Sequence, residues 1–248
     1  MGGPRRPTID VVLTADAVDA RQLAGASALV IDVLRASTTM ITALTNGAAA
    51  IIPVADLDDA RGRAAALGPD ALLAGERHGD PPPGFDLGNS PLEFTPARVA
   101  GRTIVMTTSN GTRALAAASG AGAVAVAALI NAGAAAAWAQ ARGTDVVVIC
   151  SGELGQPSLE DHACAGVVVA RLTAGTADWE LTPAAEEARS LGLRYAKEPL
   201  RLAADAPHAR TLAAQGRAAD VEACLAVDTT TVVPVRLPGV DKLVSGSR

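Results

Sequence analysis

Residues 28–47 read ALVIDVLRASTTMITALTNG, and their pattern sets the fold. An apolar, β-branched run leads into Asp32; after a short turn the polar triplet Ser37-Thr38-Thr39 opens a segment whose apolar residues, Met40, Ile41, Ala43 and Leu44, recur at helical spacing. This is a strand, a turn and a helix. The helix stops at Asn46-Gly47, a common carboxyl-terminal signal. In a parallel α/β sheet the carboxyl end of a strand and the amino end of the next helix meet in the crevice where ligands bind. A carboxylate there can hold a cation, while hydroxyls and free backbone N–H groups can hold an anion. Asp32, Arg35, Ser37, Thr38 and Thr39 are therefore expected to share one crevice.

The alternation extends both ways. Ile9 to Leu13 reads as a strand and Ala15 to Leu23 as a weak helix or turn. Beyond Gly47 come strand Ala49 to Val54, helix Asp56 to Leu67 capped by Asp56 and closed by Gly68, and strand Ala71 to Ala74. The stretch GERHGDPPPGFDLGNSP that follows from Gly75 is too rich in Pro and Gly for a regular element and long for a connection, the kind of loop on which sites lie. From Arg102 the pattern restarts: strand Thr103 to Thr107, turn Thr108 to Thr112, a helix to about Ala118, strand Ala123 to Ala128, helix Asn131 to Arg142 and strand Asp145 to Cys150. Ser158 starts a further helix with Glu160 and Asp161 in its first turn. Asp178 to Leu191, Leu202 to Gln215 and Asp220 to Leu225 read as helices and Thr230 to Val235 as a final strand, a tail of architectural character.

Structural punctuation repeats at near-constant distance. Gly47 to Gly122 and Gly68 to Gly143 each span 75 positions, and Gly75 to Gly152 spans 77. This spacing suggests a duplication with units at about 28–76 and 103–153, although two such runs also look alike in any Ala-rich chain. The expectation is one domain, a three-layer α/β/α fold with a mainly parallel or mixed sheet and two similar halves. The Asp32 and Thr108 turns would then be equivalent and face a shared crevice.

Composition narrows the function classes. The 248 residues are 49% hydrophobic, enough for a substantial core, but only 2% aromatic, so that core is built from Ala, Val, Leu and Ile. A net charge of −5 without a Lys/Arg cluster argues against nucleic acid. Cys150, Cys164 and Cys224 are an odd number without C-x-x-C spacing, which points to a reducing cytoplasm. The start MGGPRRPTIDVVLTAD lacks the apolar stretch of a secretory signal, and no window approaches a membrane span, so a soluble, unprocessed protein is expected. A homo-oligomer is allowed.

Four blocks carry a family resemblance. IDVLRASTTMITAL, GERHGDPPPGFDLGNSP, TTSNGTRAL and SGELGQPSLEDHACAG, in this order from about Asp32 to Gly166, together resemble the 2-phosphosulfolactate phosphatase family, and the tail DVEACLAVDTTTVVPV is also similar. The resemblance implies a magnesium-dependent phosphohydrolase associated with coenzyme M biosynthesis, acting on a small anionic phosphate ester. Ser37 and Ser109 stand where the family usually shows Thr, and each keeps a hydroxyl.

The residues can also be asked which phosphatase chemistries they permit. A cysteine phosphatase needs C-x5-R, but Gln156, Ala170 and Thr230 occupy the sixth positions after the cysteines. The D-x-D of an aspartyl phosphatase is absent because Leu34 stands two after Asp32. Only His78, His162 and His208 are present, too few for a binuclear histidine site, and no G-x-x-x-x-G-K-[ST] loop exists. Hard-cation chemistry remains, with Mg²⁺ neutralising phosphate charge and activating water.

Candidate metal ligands are Asp32, Glu76, Glu160 and Asp161, with Asp32, Glu76 and Asp161 also in catalytic roles. Asp32 could instead cap its turn, and Glu76 could pair with Arg77. Of Glu160 and Asp161, one is expected as a ligand and the other as a complement to the helix dipole. For the anion, Arg35 and Arg77 can form bidentate bonds, with Ser37, Thr38, Thr39, Thr108, Asn110, Gly111 and Thr112 supplying hydroxyls and N–H groups. Asn89 is a further candidate, although Asn residues in such loops more often stabilise their own turn. Arg113 reads as solvent-facing and His78 as loop packing, while Asp86 could orient its loop or take part in acid/base work. The rival readings are a non-catalytic anion-binding module and a phosphomonoesterase of the same fold acting on another phosphorylated hydroxy acid.

Overall fold

The computed structural model describes residues 5–175 and 178–246. The first four residues of the amino-terminal stretch read above lie outside them. The strands are β1 (Thr8–Val12), β2 (Ser27–Ile31), β3 (Ala50–Pro53), β4 (Ala71–Gly75), β5 (Thr103–Thr107), β6 (Ala123–Ala127), β7 (Val146–Cys150), β8 (Glu180–Leu181), β9 (Pro234–Arg236) and β10 (Leu243–Ser245). The helices are α1 (Ala20–Leu23), α2 (Ala36–Thr45), α3 (Leu57–Leu67), α4 (Pro96–Val99), α5 (Gly111–Ala117), α6 (Ala132–Arg142), α7 (Leu159–Leu172), α8 (Pro183–Tyr195), α9 (Leu202–Asp205), α10 (Pro207–Leu212) and α11 (Ala218–Leu225).

All ten strands form one mixed sheet in the order β4-β5-β3-β10-β9-β6-β2-β7-β1-β8, with helices on both faces, the three-layer α/β/α class expected. Pairings are parallel except around β9 and β10, where β6–β9, β9–β10 and β10–β3 are antiparallel. Three reversals in succession make the β3-β5-β4 block run opposite to the block β6-β2-β7-β1-β8. Read outward from the β9–β10 hairpin, the two blocks have matching order: β3, β5, β4 on one side and β6, β2, β7 on the other. Each half of the chain places its first strand in the block formed by the other half's second and third.

The alternation of β2 explains the layers. Leu29 and Ile31 face a core with α6, α7 and α8, whereas Ala28 and Val30 join α2, α5 and residues Ile51, Ile104 and Met106 of the other block. Burial on both faces accounts for the continuous apolar runs of β2 and β7. A smaller cluster of Val54, Ala60 and Val105 seats α3 on the outer face of the second block.

The carboxyl-terminal third differs from expectation. The helix expected from Asp178 starts at Pro183, because residues 180–181 pair with β1 and Thr182 caps Ala185 N–H at 3.2 Å. The helix expected over 202–215 is interrupted by Pro207, which cannot continue α9 and instead opens α10. Most of Thr230 to Val235 is not strand: Asp228 and Thr230 donate their N–H groups to Leu129 and Ile130, so pairing begins only at Pro234. The final strand is β10, which the sequence did not suggest.

Candidate active site

Asp32 follows β2 and turns the chain into α2. Its N–H donates to Ser37 Oγ (2.9 Å), and its Oδ1 accepts from Ala36 N–H (3.0 Å). Ser37 N–H closes the turn on the Asp32 carbonyl at 2.9 Å. The Asp32 side chain thus both caps α2 and faces the turn after β5. A Cβ at Gly111 would lie 2.8 Å from Asp32 Oδ2 and 2.6 Å from Ala36 Cβ, so the two turns meet there and only glycine permits the approach.

Glu76, beyond β4, ties its own loop to the second turn. Its Oε1 accepts from Ser109 N–H (2.7 Å), and Oε2 accepts from Gly79 N–H (2.9 Å) and Ser109 Oγ (3.2 Å). Asp32, Glu76, Asn89, Ser109 and Asn110 line one cavity of about 230 Å³. Asn89 Oδ1 is buried with no hydrogen-bond partner, an acceptor oxygen without its donor.

The other carboxylates stand behind this cavity. Asp161 Oδ1 accepts from Val33 N–H (2.8 Å), and Oδ2 accepts from Ser151 Oγ (3.0 Å) and Gly152 N–H (3.2 Å), strapping the exits of β2 and β7 together. Glu160 is 2% exposed and its Oε2 has no partner. Burial, then repulsion from Asp161 and Glu76, raises the Asp32 carboxyl to about 7. Burial and repulsion from Asp161 likewise raise Glu160 to about 8. Asp161 is raised by burial, opposed by the N–H and hydroxyl groups it accepts from. Of the four candidate ligands, Asp32 and Glu76 line the cavity, whereas Glu160 and Asp161 do not. Among the described residues no three His, Cys, Asp or Glu side chains converge to hold a metal on their own.

Several expected anion donors are turned inward. Thr38 Oγ1 donates to Val33 O (2.9 Å), and Thr39 Oγ1 donates to Asn89 O (3.0 Å). Thr112 N–H donates to Thr108 Oγ1 (3.1 Å), while Thr112 Oγ1 donates to Thr108 O (2.8 Å). With Ser37, these buried hydroxyls shape the two turns. Arg77 does not pair with the Glu76 carboxylate; it donates to Glu76 O, Ala55 O and Thr107 Oγ1 at 2.8–2.9 Å. Arg35 does line the cavity, held by Asp220 (2.6 Å) and Gly79 O (3.0 Å). Arg113 bonds Asp16 at the surface, and Asp86 in its loop accepts from Leu73 N–H of β4.

Comparison with known proteins gives this geometry its setting. Residues 12–237 match the family model described as 2-phosphosulpholactate phosphatase. The chain belongs to the 2-phosphosulpholactate phosphatase family. A relative from Symbiobacterium thermophilum is 40% identical over 222 residues, covering 89% of this chain and 95% of its own. Relatives from Pseudothermotoga lettingae (36% over 229 residues, 92% and 95%) and Clostridium acetobutylicum (33% over 226 residues, 91% and 96%) are similar over comparable spans. Each is named "Probable 2-phosphosulfolactate phosphatase". Membership makes the chain a phosphoric monoester hydrolase.

Family chemistry is consistent with the cysteines. Cys150, Cys164 and Cys224 are buried and free, burial pushes Cys224 up to about 12, and it pushes the other two well above the usual thiol range. None is a thiolate nucleophile.

Residues that the sequence reading missed line the cavity together with Asp32: Glu153, Leu154, His208, Thr211, Leu212 and Gln215. Positions 208, 211, 212 and 215 share one helical face, a spacing visible in the sequence. Nothing there indicated which way that face would turn.

Proposed function

We propose that the chain hydrolyses 2-phosphosulfolactate to sulfolactate and inorganic phosphate with Mg²⁺, in a reducing cytoplasm where its cysteines stay free. The carrying observation is the charge of the cavity. Asp32, Glu76 and Glu153 line it, and the one arginine lining it among the described residues, Arg35, is already paired with Asp220. An ester carrying phosphate, carboxylate and sulfonate charges would be repelled from such a wall without a cation between.

The donors fit Mg²⁺, an oxygen-seeking ion that keeps several waters and takes one or two carboxylates together with substrate phosphate. Asp32 and Glu76 would hold it, with the orphaned Asn89 Oδ1 as a neutral oxygen beside them. When bound, the ion neutralises phosphate charge and acidifies a water that can attack phosphorus. Arg35 and Asn110 orient the ester from the cavity wall, and Asp161 keeps the β2 exit, and so Asp32, in place.

Phosphate release measured with and without a chelator tests this reading. Turnover should stop in the chelator and return with Mg²⁺; turnover that ignores chelation refutes the metal. A panel of phosphorylated hydroxy acids with and without a sulfonate tests the substrate. Equal rates across the panel would move the assignment to another hydroxy acid, and calorimetric binding without turnover would leave an anion-binding module.

A further inference from the structure

One wall of the cavity carries chemistry that anion and cation binding leave without a role. His208, Thr211, Leu212 and Gln215 face it from α10 and the turn that follows, at successive helical positions. His208 Nδ1 lies 2.7 Å from Glu153 Oε1. The two come from distant parts of the chain, Glu153 from the turn after β7 and His208 from the tail.

That turn is the counterpart of the one carrying Glu76. Residues 77 and 80 bridge in the first turn, as residues 153 and 156 do in the second. His78 (φ 55°) followed by Gly79 (φ 88°) matches Leu154 (φ 50°) followed by Gly155 (φ 78°). Glu153 opens its turn where Arg77 opens the first, one position on from Glu76, and both glutamates line the one cavity in different company. Glu76 accepts from backbone N–H groups and a serine, whereas Glu153 meets an imidazole.

A carboxylate on Nδ1 fixes both the orientation and the tautomer of the ring, which leaves Nε2 as the atom that exchanges a proton with whatever occupies the space ahead. His208 Nε2 has no hydrogen-bond partner among the described residues, and the ring lines the cavity together with Asp32 and Glu76. The imidazole and the proposed cation ligands therefore border the same space. In a phosphate monoester the groups needing help stand on opposite sides of phosphorus: the attacking oxygen on one, the departing oxygen on the other. An aliphatic alkoxide is a poor leaving group unless it is protonated as the bond breaks.

We infer that His208 is the proton donor to the departing oxygen of the ester, with Glu153 as its positioning residue. The inference rests on the hydrolytic reading above. In the step, water adds to phosphorus and the bond from phosphorus to the ester oxygen breaks, its electron pair staying on that oxygen. The ring enters the step as the imidazolium with Nδ1–H on Glu153, and its Nε2 proton moves onto the oxygen to give the alcohol and the neutral ring. Both protons of the attacking water leave on the phosphate, which returns one to solvent as solvent reprotonates the imidazole, so the enzyme ends unchanged.

The test compares two leaving groups in His208→Asn and Glu153→Gln with Mg²⁺ present. 2-Phosphosulfolactate releases an alkoxide and needs the proton; p-nitrophenyl phosphate releases a stabilised phenolate and does not. His208→Asn should lower kcat on the first by ~10²–10⁴-fold and on the second by less than about threefold. Glu153→Gln should show the same selectivity at smaller size, because the ring remains. Equal loss on both esters, or a rise in KM alone, would make His208 a binding residue and overturn the inference, as would unchanged rates. Wild-type protein that turns over neither ester would instead refute the hydrolytic reading and take this role with it. Circular dichroism and melting of both variants separate these results from unfolding, which would lower both rates alike.

Discussion

Asp32 answers two demands that conflict. It caps α2 through Ala36 N–H, and it sits 6% exposed close to Asp161 and Glu76, so its charge is opposed by both burial and repulsion. A carboxyl raised from its usual 3.8 to about 7 binds its proton more tightly in the folded state, as does Glu160 at about 8. The stabilisation is complete below the unfolded value and is lost as pH rises through those folded values. The metal-free protein should therefore lose stability between about pH 4 and pH 7 relative to Asp32→Asn, which keeps the Oδ1 acceptor but carries no charge. Melting of both proteins in chelator should show the variant gaining on wild type as pH rises, where ~1 kcal/mol corresponds to about 2–4 °C for a chain of this size. The same variant should have no Mg²⁺-dependent turnover. Curves that stay parallel from pH 5 to pH 8 would show that the carboxyl is not held protonated.

At the scale of elements, the tail does more than frame the sheet. Arg35, at the start of α2, donates to Asp220 of α11 at 2.6 Å with both side chains buried, and Ser90 Oγ donates to the other Asp220 oxygen at 2.6 Å. Asp220 thereby fixes the turn after β2 and the Pro-rich loop against one helix. Removing one partner of a buried pair strands the other charge, so Asp220→Ala should destabilise by ~3–5 kcal/mol in urea melts. Arg35→Met with Asp220→Leu should recover much of this while activity stays lost; an additive double variant would show that the pair is uncoupled.

Local signals made β2, α2, β5 and the Asp56 cap readable in advance, and they placed Asp32 at the right strand end. They did not tell that Ser37, Thr38 and Thr39 would turn their hydroxyls to backbone, because hydroxyls at a helix start serve capping and ligand binding with the same residues. Nor did they show the tail crossing the cavity, since His208 meets Glu153 through a contact 55 residues apart that no local period records. The short strands β8 and β10 exist only through their non-local partners.

The molecule as a whole is two interlocked runs, and the interlock determines how it must fold. β1 pairs with β7 and β8, β2 with β6 and β7, β3 with β5 and β10, and β4 with β5. No two of the first four strands pair with each other, although they precede every strand they need. Backbone groups in such strands have no partner until the second run is present, and unpaired buried polar groups are costly. A fragment ending at Gly101, between α4 and β5, should therefore lack a cooperative melt and show little strand signal by circular dichroism. Mixing it with a fragment from Arg102 onward should restore both, together with phosphatase activity, because Asp32 and Glu76 then meet Ser109 and Gly111 across the join. A first fragment that melts cooperatively alone would mean that its strands have a pairing of their own and that the exchange between halves is not obligatory.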